Sequence, residues 1–592
     1  MKYRLYENSK NDTSNVLKEV LKNRGIDNYY EYLNLKSDVV IPYSRLDNID
    51  KAVNLFMKHF ENRNKIEILV DSDPDGYCSA AMIYSYIKQL DNSYPVGYIL
   101  HTRAKSHGLD DDVAVSEDTK LLIIPDAGTN DVIQCKTLNE NGVDILILDH
   151  HESEEKNPYA LIVNNQMSVN YTNKSFCGAG VVYKFLQALD SETWNEFADN
   201  YLDLCALANI SDVMDMRSFE TRYLTDVGLS NITNKCFQAL IKSQDYSIND
   251  KINIHNIQWY ITPILNGMIR IGSFEDKELL FKAFIEQDEV FEYKKRATKN
   301  KPAETIQENI YDRAARLCKN AKSRQDKLKE KGVKIISEIA SQLPDTDKVI
   351  MLDTTEYLDG GLTGVAAIKI AEQYNKPCIL LKKYYDKKTN STVYGGSARN
   401  VNHSPIDSFK DIVNSTEIIH GKGHPNAFGV VDLSPDNLEN AMKQLNTILK
   451  DIEYDSTYKV DFILDINHVT IPLIIELSKF ENIVGQGIEE PIIAVENISL
   501  TRDSFEVFGK NEDTISFVIN GIKYVQFKCR EGNRLYDFLQ NAWDDNDVIL
   551  FTIVGKPTIN EYNGIRTPQI IIEDVNVIDT INQDDSGSGD DW

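Results

Sequence analysis

Paired cysteines are missing from this 592-residue sequence. Its eight cysteines (78, 135, 177, 205, 236, 318, 378 and 529) are scattered, and no CxxC occurs. That excludes the usual patterns of a disulfide framework or a thiolate zinc site. Most lie in apolar neighbourhoods and read as small hydrophobes. Long apolar runs are also missing: none approaches the roughly 18 residues a membrane helix needs. The opening residues, MKYRLYENSKNDTSN, lack the apolar stretch of a signal peptide. The expectation is a cytoplasmic protein, of a bacterial cell or a phage-infected host, because Asn, Lys, Ile and Asp dominate as in low-GC genomes. Glycine (29) and proline (16) are too ordinary for a repeat or fibrous protein. Positive charge is scarce, with 64 Lys and Arg against 91 Asp and Glu, a net of -27. On average that disfavours nucleic acid. The average conceals residues 291–331, where 13 bases face six acids. This stretch reads either as a charged helical face or as an arm that contacts phosphates.

At about 100–200 residues per domain, the length predicts three to five domains. From residue 66 to 220, short apolar strands alternate with helical patterns. IEILV stops at Asp71, LLIIP at Asp126 and VDILILD at Asp149, and YALIVNN is a fourth strand. CSAAMIYSYIKQL (78–90) and CGAGVVYKFLQAL (177–189) have helical spacing. The pattern predicts a mostly parallel α/β sheet, whose ligands gather beyond the C-terminal strand ends. Three of the four strands deliver an aspartate there. Residues 221–340 read as mainly helical, and a second α/β unit follows over about 348–450. Alternating runs such as TISFVINGIKYVQFKCR, split by turn residues, predict a small antiparallel barrel or sandwich over 465–580. QDDSGSGDDW reads as a disordered acidic tail.

Asp71, Asp73 and Asp75 stand at alternate positions in DSDPDG. Such carboxylates raise one another's pKa unless a cation neutralises them. Pro74 and Gly76 favour a turn that lets the three converge. With Asp126, Asp149-His150-His151, Asp212 and the distant His424, they form a hard-to-borderline ligand set suited to Mn or Mg, with zinc less favoured. Two ions about 3.5–4 Å apart sharing a carboxylate would suit phosphoryl chemistry. Taken singly, Asp126 and Asp212 also read as helix caps and His424 as a turn residue; the joint pattern is not explained by capping.

DSDPDG, PDAG, LDHHES, ISDV and GKGH together resemble the DHH/DHHA1 phosphoesterase family, and the layout resembles its RecJ-like single-strand-specific DNA exonucleases along nearly the whole chain. ILHTRAKSHGL (99–109), TPILNGMIRIGS (262–273), YGGSARN (394–400), FENIVGQGIEEP (480–491) and INEYNGIRTPQIII (559–572) extend the likeness. The resemblance implies a DHH parallel-sheet domain (1–225), a helical connecting region (226–345), a smaller DHHA1 α/β domain (346–455), an OB-fold β-barrel (456–580) and the tail (581–592). It implies Asp73, Asp75, Asp126, His150 and Asp212 as metal ligands, with Asp126 bridging two Mn2+ or Mg2+ ions. Asp71 becomes a ligand or a partner of one, His151 a ligand or phosphate contact, and Asp149 the residue that orients a histidine. Arg399 and His424 resemble a phosphate-holding pair, Gly421 and Gly423 would offer backbone N–H groups to an anion, and Asn266 and Arg270 would line the same cleft. Lys422 is an insertion in the family's glycine-rich run, and DGGLTG (359–364) lacks the usual histidine.

The implied activity is metal-assisted 5′-to-3′ hydrolysis of single-stranded DNA to mononucleotides, in recombination, repair or replication. A monomer is implied, with a single-strand-binding protein or a helicase as candidate partners. Tyr524, Phe527 and Tyr562 are available to stack on bases, or to serve as core. Two alternatives stand beside this reading: a nuclease or phosphatase acting on short RNA or small nucleotides, and a non-catalytic replication scaffold. The extra strand-binding regions count against the first, and the intact ligand set against the second.

Overall fold

Apolar runs that are buried on both faces build a parallel sheet, and they set the frame of the five-stranded sheet here. Its strands are β1 (Lys65–Val70), β2 (Val96–Leu100), β3 (Thr119–Pro125), β4 (Asp144–Asp149) and β5 (Leu161–Asn164). A computed structural model describes residues 1–581, except 104–105, 111–112, 296, 298–301, 387–389, 403, 455–456, 510–511, 530–532, 541–547 and 563. Residues 582–592 of the acidic tail therefore lie outside the described residues, and Ile581 ends a strand. The chain forms two compact units. One comprises Tyr32–Lys327 and Gly485–Ile488; the other comprises Met1–Glu31, Leu328–Val484 and the chain from Glu489 onward.

In the first unit the strand order is β2-β1-β3-β4-β5, all parallel. Alternate side chains enter two cores. Ile66, Ile68, Leu121 and Ile123 pack with helices α1 (Pro74–Leu90), α3 (Gly178–Thr193) and α4 (Leu202–Ser211). Leu69, Leu122, Ile145 and Ile147 pack with Cys135 of α2 (Val132–Glu140). The sequence reading missed β2, because this half-exposed edge strand contains a glycine and lacks a buried apolar run. Its presence places the switch in strand order between β1 and β3. That is where ligands collect in such sheets, and where Asp71 and Asp126 emerge.

The helical region carries a two-stranded hairpin, Val290–Lys295 with Glu304–Asn309, ahead of the helix Ile310–Ala340. Part of its positive charge is used internally. Arg313 lies over the Phe291 ring, and Arg316 lies over Tyr293 while pairing with Glu308 at 2.7 Å. Arg296, Lys299 and Lys301 lie outside the described residues.

In the second unit a five-stranded sheet has the order 420–424, 427–433, 391–399, 378–386, 350–353, with only the last pair parallel. A seven-stranded sheet spans Phe462–Ile581. It is mostly antiparallel, with two parallel pairings that the sequence pattern did not suggest. The first strand, Lys2–Leu5, pairs in parallel with Thr457–Val460. All eight cysteines are buried and unpaired. No described helix is long and apolar enough to cross a membrane.

Candidate metal and phosphate site

The chain turns sharply after β1. Asp73 caps α1 by accepting the Gly76 N–H at 2.9 Å, with Pro74 at the first helical position. Asp71 and Asp75 then face different partners. Asp71 accepts the Gly108 N–H at 2.9 Å, and its other oxygen meets His107 Nδ1 at 2.9 Å. Asp75 reaches the start of α3, accepting the N–H groups of Gly178 at 2.7 Å and Ala179 at 2.8 Å, and the Ser79 hydroxyl at 3.0 Å. A carboxylate at a helix N-terminus is held by the orphan amides there. Two glycines permit this approach: a Cβ at position 76 would stand 2.5 Å from Asp71 Cβ, and one at position 178 would stand 2.5 Å from Asp126 Cβ.

Asp126 follows β3 in the left-handed region (φ 63°) and donates its N–H to the Leu148 carbonyl. Asp149 ends β4 and is fully buried. One Asp149 oxygen accepts the N–H groups of His150 and His151 and meets His151 Nδ1 at 2.8 Å; the other accepts the Thr129 hydroxyl at 2.6 Å. His150 Nε2 lies 3.2 Å from Asp126 Oδ1, 3.4 Å from Asp212 Oδ2 and 4.0 Å from Asp75 Oδ2. Asp212 closes the C-terminus of α4.

The site thus gathers Asp71, Asp73, Asp75, Asp126, Asp149, His150, His151 and Asp212. Three overlapping groups have ligand atoms within 4.8 Å of one another: Asp126, Asp149, His150 and His151; Asp75, His150 and Asp212; and Asp71, Asp73 and Asp126. Both Asp126 oxygens and His150 Nε2 are buried without a hydrogen-bond partner among the described residues. Buried acceptors left this way are costly unless something positive lies between them. A hard divalent cation fits that donor set.

The electrostatics agree. Burial, reinforced by Asp71 and Asp75, pushes Asp73 up to about 6. Burial, with Asp75 and Asp73, pushes Asp212 up to about 8, and burial beside Asp75 raises Asp126 strongly. Burial also lowers His150, which keeps it neutral. For Asp149, the His151 hydrogen bond and charge outweigh burial and pull the carboxyl down. The same bond outweighs burial at His151 and raises it. His107 is held up at about 9, because its bond to Asp71 overcomes burial.

Asn266 and Arg270 lie on helix α5 (Thr262–Ile271) of the same unit. Burial lowers Arg270, and the Asp73 charge opposes that shift. Arg399 and His424 belong to the other unit. They flank Ala427 in register on neighbouring strands, so their side chains share one face of the sheet. The Gly421 N–H is donated to Asn414 Oδ1 at 2.7 Å, so it is not open to an anion as expected. Gly423 has φ 122°, and its carbonyl accepts Lys410 Nζ. Tyr524 is core, fully buried and stacked on Phe517 at 4.8 Å. Phe527 is exposed. The Tyr562 side chain lies outside the described residues.

Sequence reasoning missed His107, Thr129 and the amides of Gly178 and Ala179. The CGAG run opening α3 was the available signal, since small residues at a helix start let another chain approach.

The DHH family N-terminal domain model matches residues 65–209, and the RecJ OB domain model matches residues 460–574. A Bacillus subtilis protein of SPbeta prophage origin, YorK, named for single-strand DNA-specific exonuclease activity, is 34% identical over 585 residues, covering 98% of this chain and 99% of its own. The single-stranded-DNA-specific exonuclease RecJ of the same organism is 25% identical, over 90% of this chain and 64% of its own. Among solved structures, RecJ of Thermus thermophilus in complex with Mn2+ superposes with a TM-score of 0.70 at 17% identity, covering 96% of this chain and 76% of that one. Its complex with Mg2+ gives 0.66 at 16% identity, covering 98% and 79%.

Proposed function

Because the chain belongs to the family of RecJ-like single-strand-DNA-specific exonucleases, we propose that it hydrolyses single-stranded DNA from the 5′ end, releasing mononucleotides, with two Mn2+ or Mg2+ ions. The observation that carries the reading is the buried Asp126 carboxylate facing His150 Nε2, both without hydrogen-bond partners among the described residues. Asp73, Asp75, Asp126, His150 and Asp212 would hold the ions. Divalent cations there would neutralise phosphate charge and lower the pKa of water.

The remaining steps rest on the chain itself. His150, kept neutral by burial, offers a lone pair at Nε2. Asp149 fixes the tautomer of His151 by taking Nδ1–H, which leaves Nε2 of this half-exposed ring uncommitted to that bond. With its pKa raised, His151 can carry a proton to the departing sugar oxygen. Arg270 lies within the field of Asp73 and would meet a phosphate oxygen. Arg399 and His424, which share a sheet face in the other unit, would be able to hold a phosphate as a pair. DNA repair, recombination or phage replication would be the setting.

The test is digestion of end-labelled single strands, duplexes and short RNA with Mn2+ or Mg2+, with Asp126→Ala as control. Mononucleotides released from 5′ ends of single-stranded DNA, and lost in the variant, are the expected result. Faster cleavage of RNA or dinucleotides would overturn the substrate assignment.

A further inference from the structure

Helix α5 is buried on every side but one. Thr262, Ile264, Leu265, Gly267, Met268 and Ile269 are buried. Pro263, Asn266 and Arg270 are partly open to solvent, and the opening continues backward through Trp259 and His255. Residues 257–261 form a π-helical turn, in which the Thr262 N–H bonds to the Ile257 carbonyl. Such turns occur frequently at functional sites. The wide turn keeps Trp259 above Pro263, so the open positions 255, 259, 263, 266 and 270 form one stripe. One end of the stripe is Arg270, on which the Asp73 charge acts. At the other end the Trp259 side chain is 62% exposed, and its ring lies 6.1 Å from the His255 ring.

We propose that this stripe is a binding track for the single strand, with Trp259 as a stacking platform for a base several nucleotides downstream of the scissile bond. The inference rests on the nuclease reading of the site. An exposed indole beside an imidazole, in line with a guanidinium, suits alternating bases and phosphates, because stacking tolerates any base. The eleven residue-to-residue steps from Trp259 to Arg270 span roughly 16 Å. At the stacked rise of about 3.4 Å per nucleotide, that distance holds at most about five nucleotides. A dinucleotide seated at the ions would not reach Trp259, but a longer strand would.

The binding arm uses the full chain carrying Asp126→Ala, so that the strand stays intact, and a fluorescent 12-nucleotide single strand with Mn2+. Adding Trp259→Ala should weaken binding about 5- to 150-fold, the range expected for one stacked base. Trp259→Phe should restore it to within about threefold of the parent, because phenylalanine keeps the π-face. In the otherwise native enzyme, Trp259→Ala should leave kcat/KM on a dinucleotide unchanged. Equal 12-nucleotide binding with and without Trp259 overturns the proposal, as does an equal loss on dinucleotide and long strand. Binding is measured without turnover, so it judges Trp259 even where hydrolysis from the 5′ end proves not to be the reaction.

Discussion

Substituting Gly178 by alanine tests how tightly the acids are positioned. The new Cβ would stand 2.5 Å from Asp126 Cβ, 2.6 Å from Oδ1 and 2.7 Å from Cα. Ordinary carbon contacts need about 3.5–4.0 Å, so something must move by about 1 Å. Asp126 has little room: it is buried, sits at φ 63° and is tied through its N–H to Leu148. If α3 moves instead, the Gly178 and Ala179 amides leave Asp75. Either way one acid shifts by about 1 Å, and misplacement on that scale costs about a hundredfold in rate. Overpacking would destabilise by about 1–3 kcal/mol, so the fold should survive. The assay is the initial rate on single-stranded DNA across a Mn2+ titration, with a thermal melt in parallel. Gly180→Ala is the control, because its Cβ would strike the Phe176 ring rather than an acid. It should lower Tm while leaving the rate within a few fold. A Gly178→Ala enzyme within threefold of wild type, with unchanged Mn2+ affinity, would refute the reasoning.

The raised acids also predict a pH dependence. Asp73 at about 6, Asp212 at about 8 and the raised Asp126 hold protons in the folded, metal-free protein that the unfolded chain releases near pH 4. Folding stability is therefore fully present below about pH 4 as far as these groups go, and falls between pH 4 and 8 by ~1.4 kcal/mol per pH unit for each such acid until its own folded pKa is passed. The Tm measured in chelator should drop across that window, and Mn2+ should remove the drop. Mn2+ affinity should rise with pH between 6 and 8, because the ions displace those protons; a flat titration would count against the ligand set. Asp149→Asn keeps one acceptor oxygen and turns an amide N–H₂ toward either the two histidines or Thr129, both of which donate to the native carboxylate. It should cut kcat about 10- to 100-fold, as loss of a ligand-orienting partner does, and should also lower the Tm, because a buried donor left unpaired costs about 1–3 kcal/mol.

The parallel sheet was legible because most of its strands are doubly buried and read as uninterrupted apolar runs. The edge strand Val96–Leu100 was not, since half-exposure removes that signal. The convergence of Asp71, Asp126 and Asp149 followed from strand ends alone. Tyr524 shows the opposite limit: alternation places it on a strand, but which face is core depends on Phe517 stacking against it. Gly421 shows it again, because only the fold reveals that Asn414 already takes its amide.

The eight residues of the site are not equivalent, and the sequence could not rank them. In DSDPDG the three acids look alike, yet each has a different occupation. Asp71 fixes the loop at His107 and Gly108, Asp73 caps its own helix, and Asp75 braces the start of α3. Asp149 is saturated by the two histidines and Thr129. These bonds set the geometry and leave Asp126, which has no hydrogen-bond partner for either oxygen among the described residues. A carboxylate held rigid, buried and without donors has its whole charge available to a cation, and the lone pairs that Asp73 and Asp75 do not use can join it. Counting donors shows which oxygens the fold has already engaged: one of Asp73, both of Asp75 and neither of Asp126, a distinction that spacing alone does not make. The count requires Gly108, Gly178 and Ala179, which lie 37, 103 and 104 residues along the chain from the acids they serve.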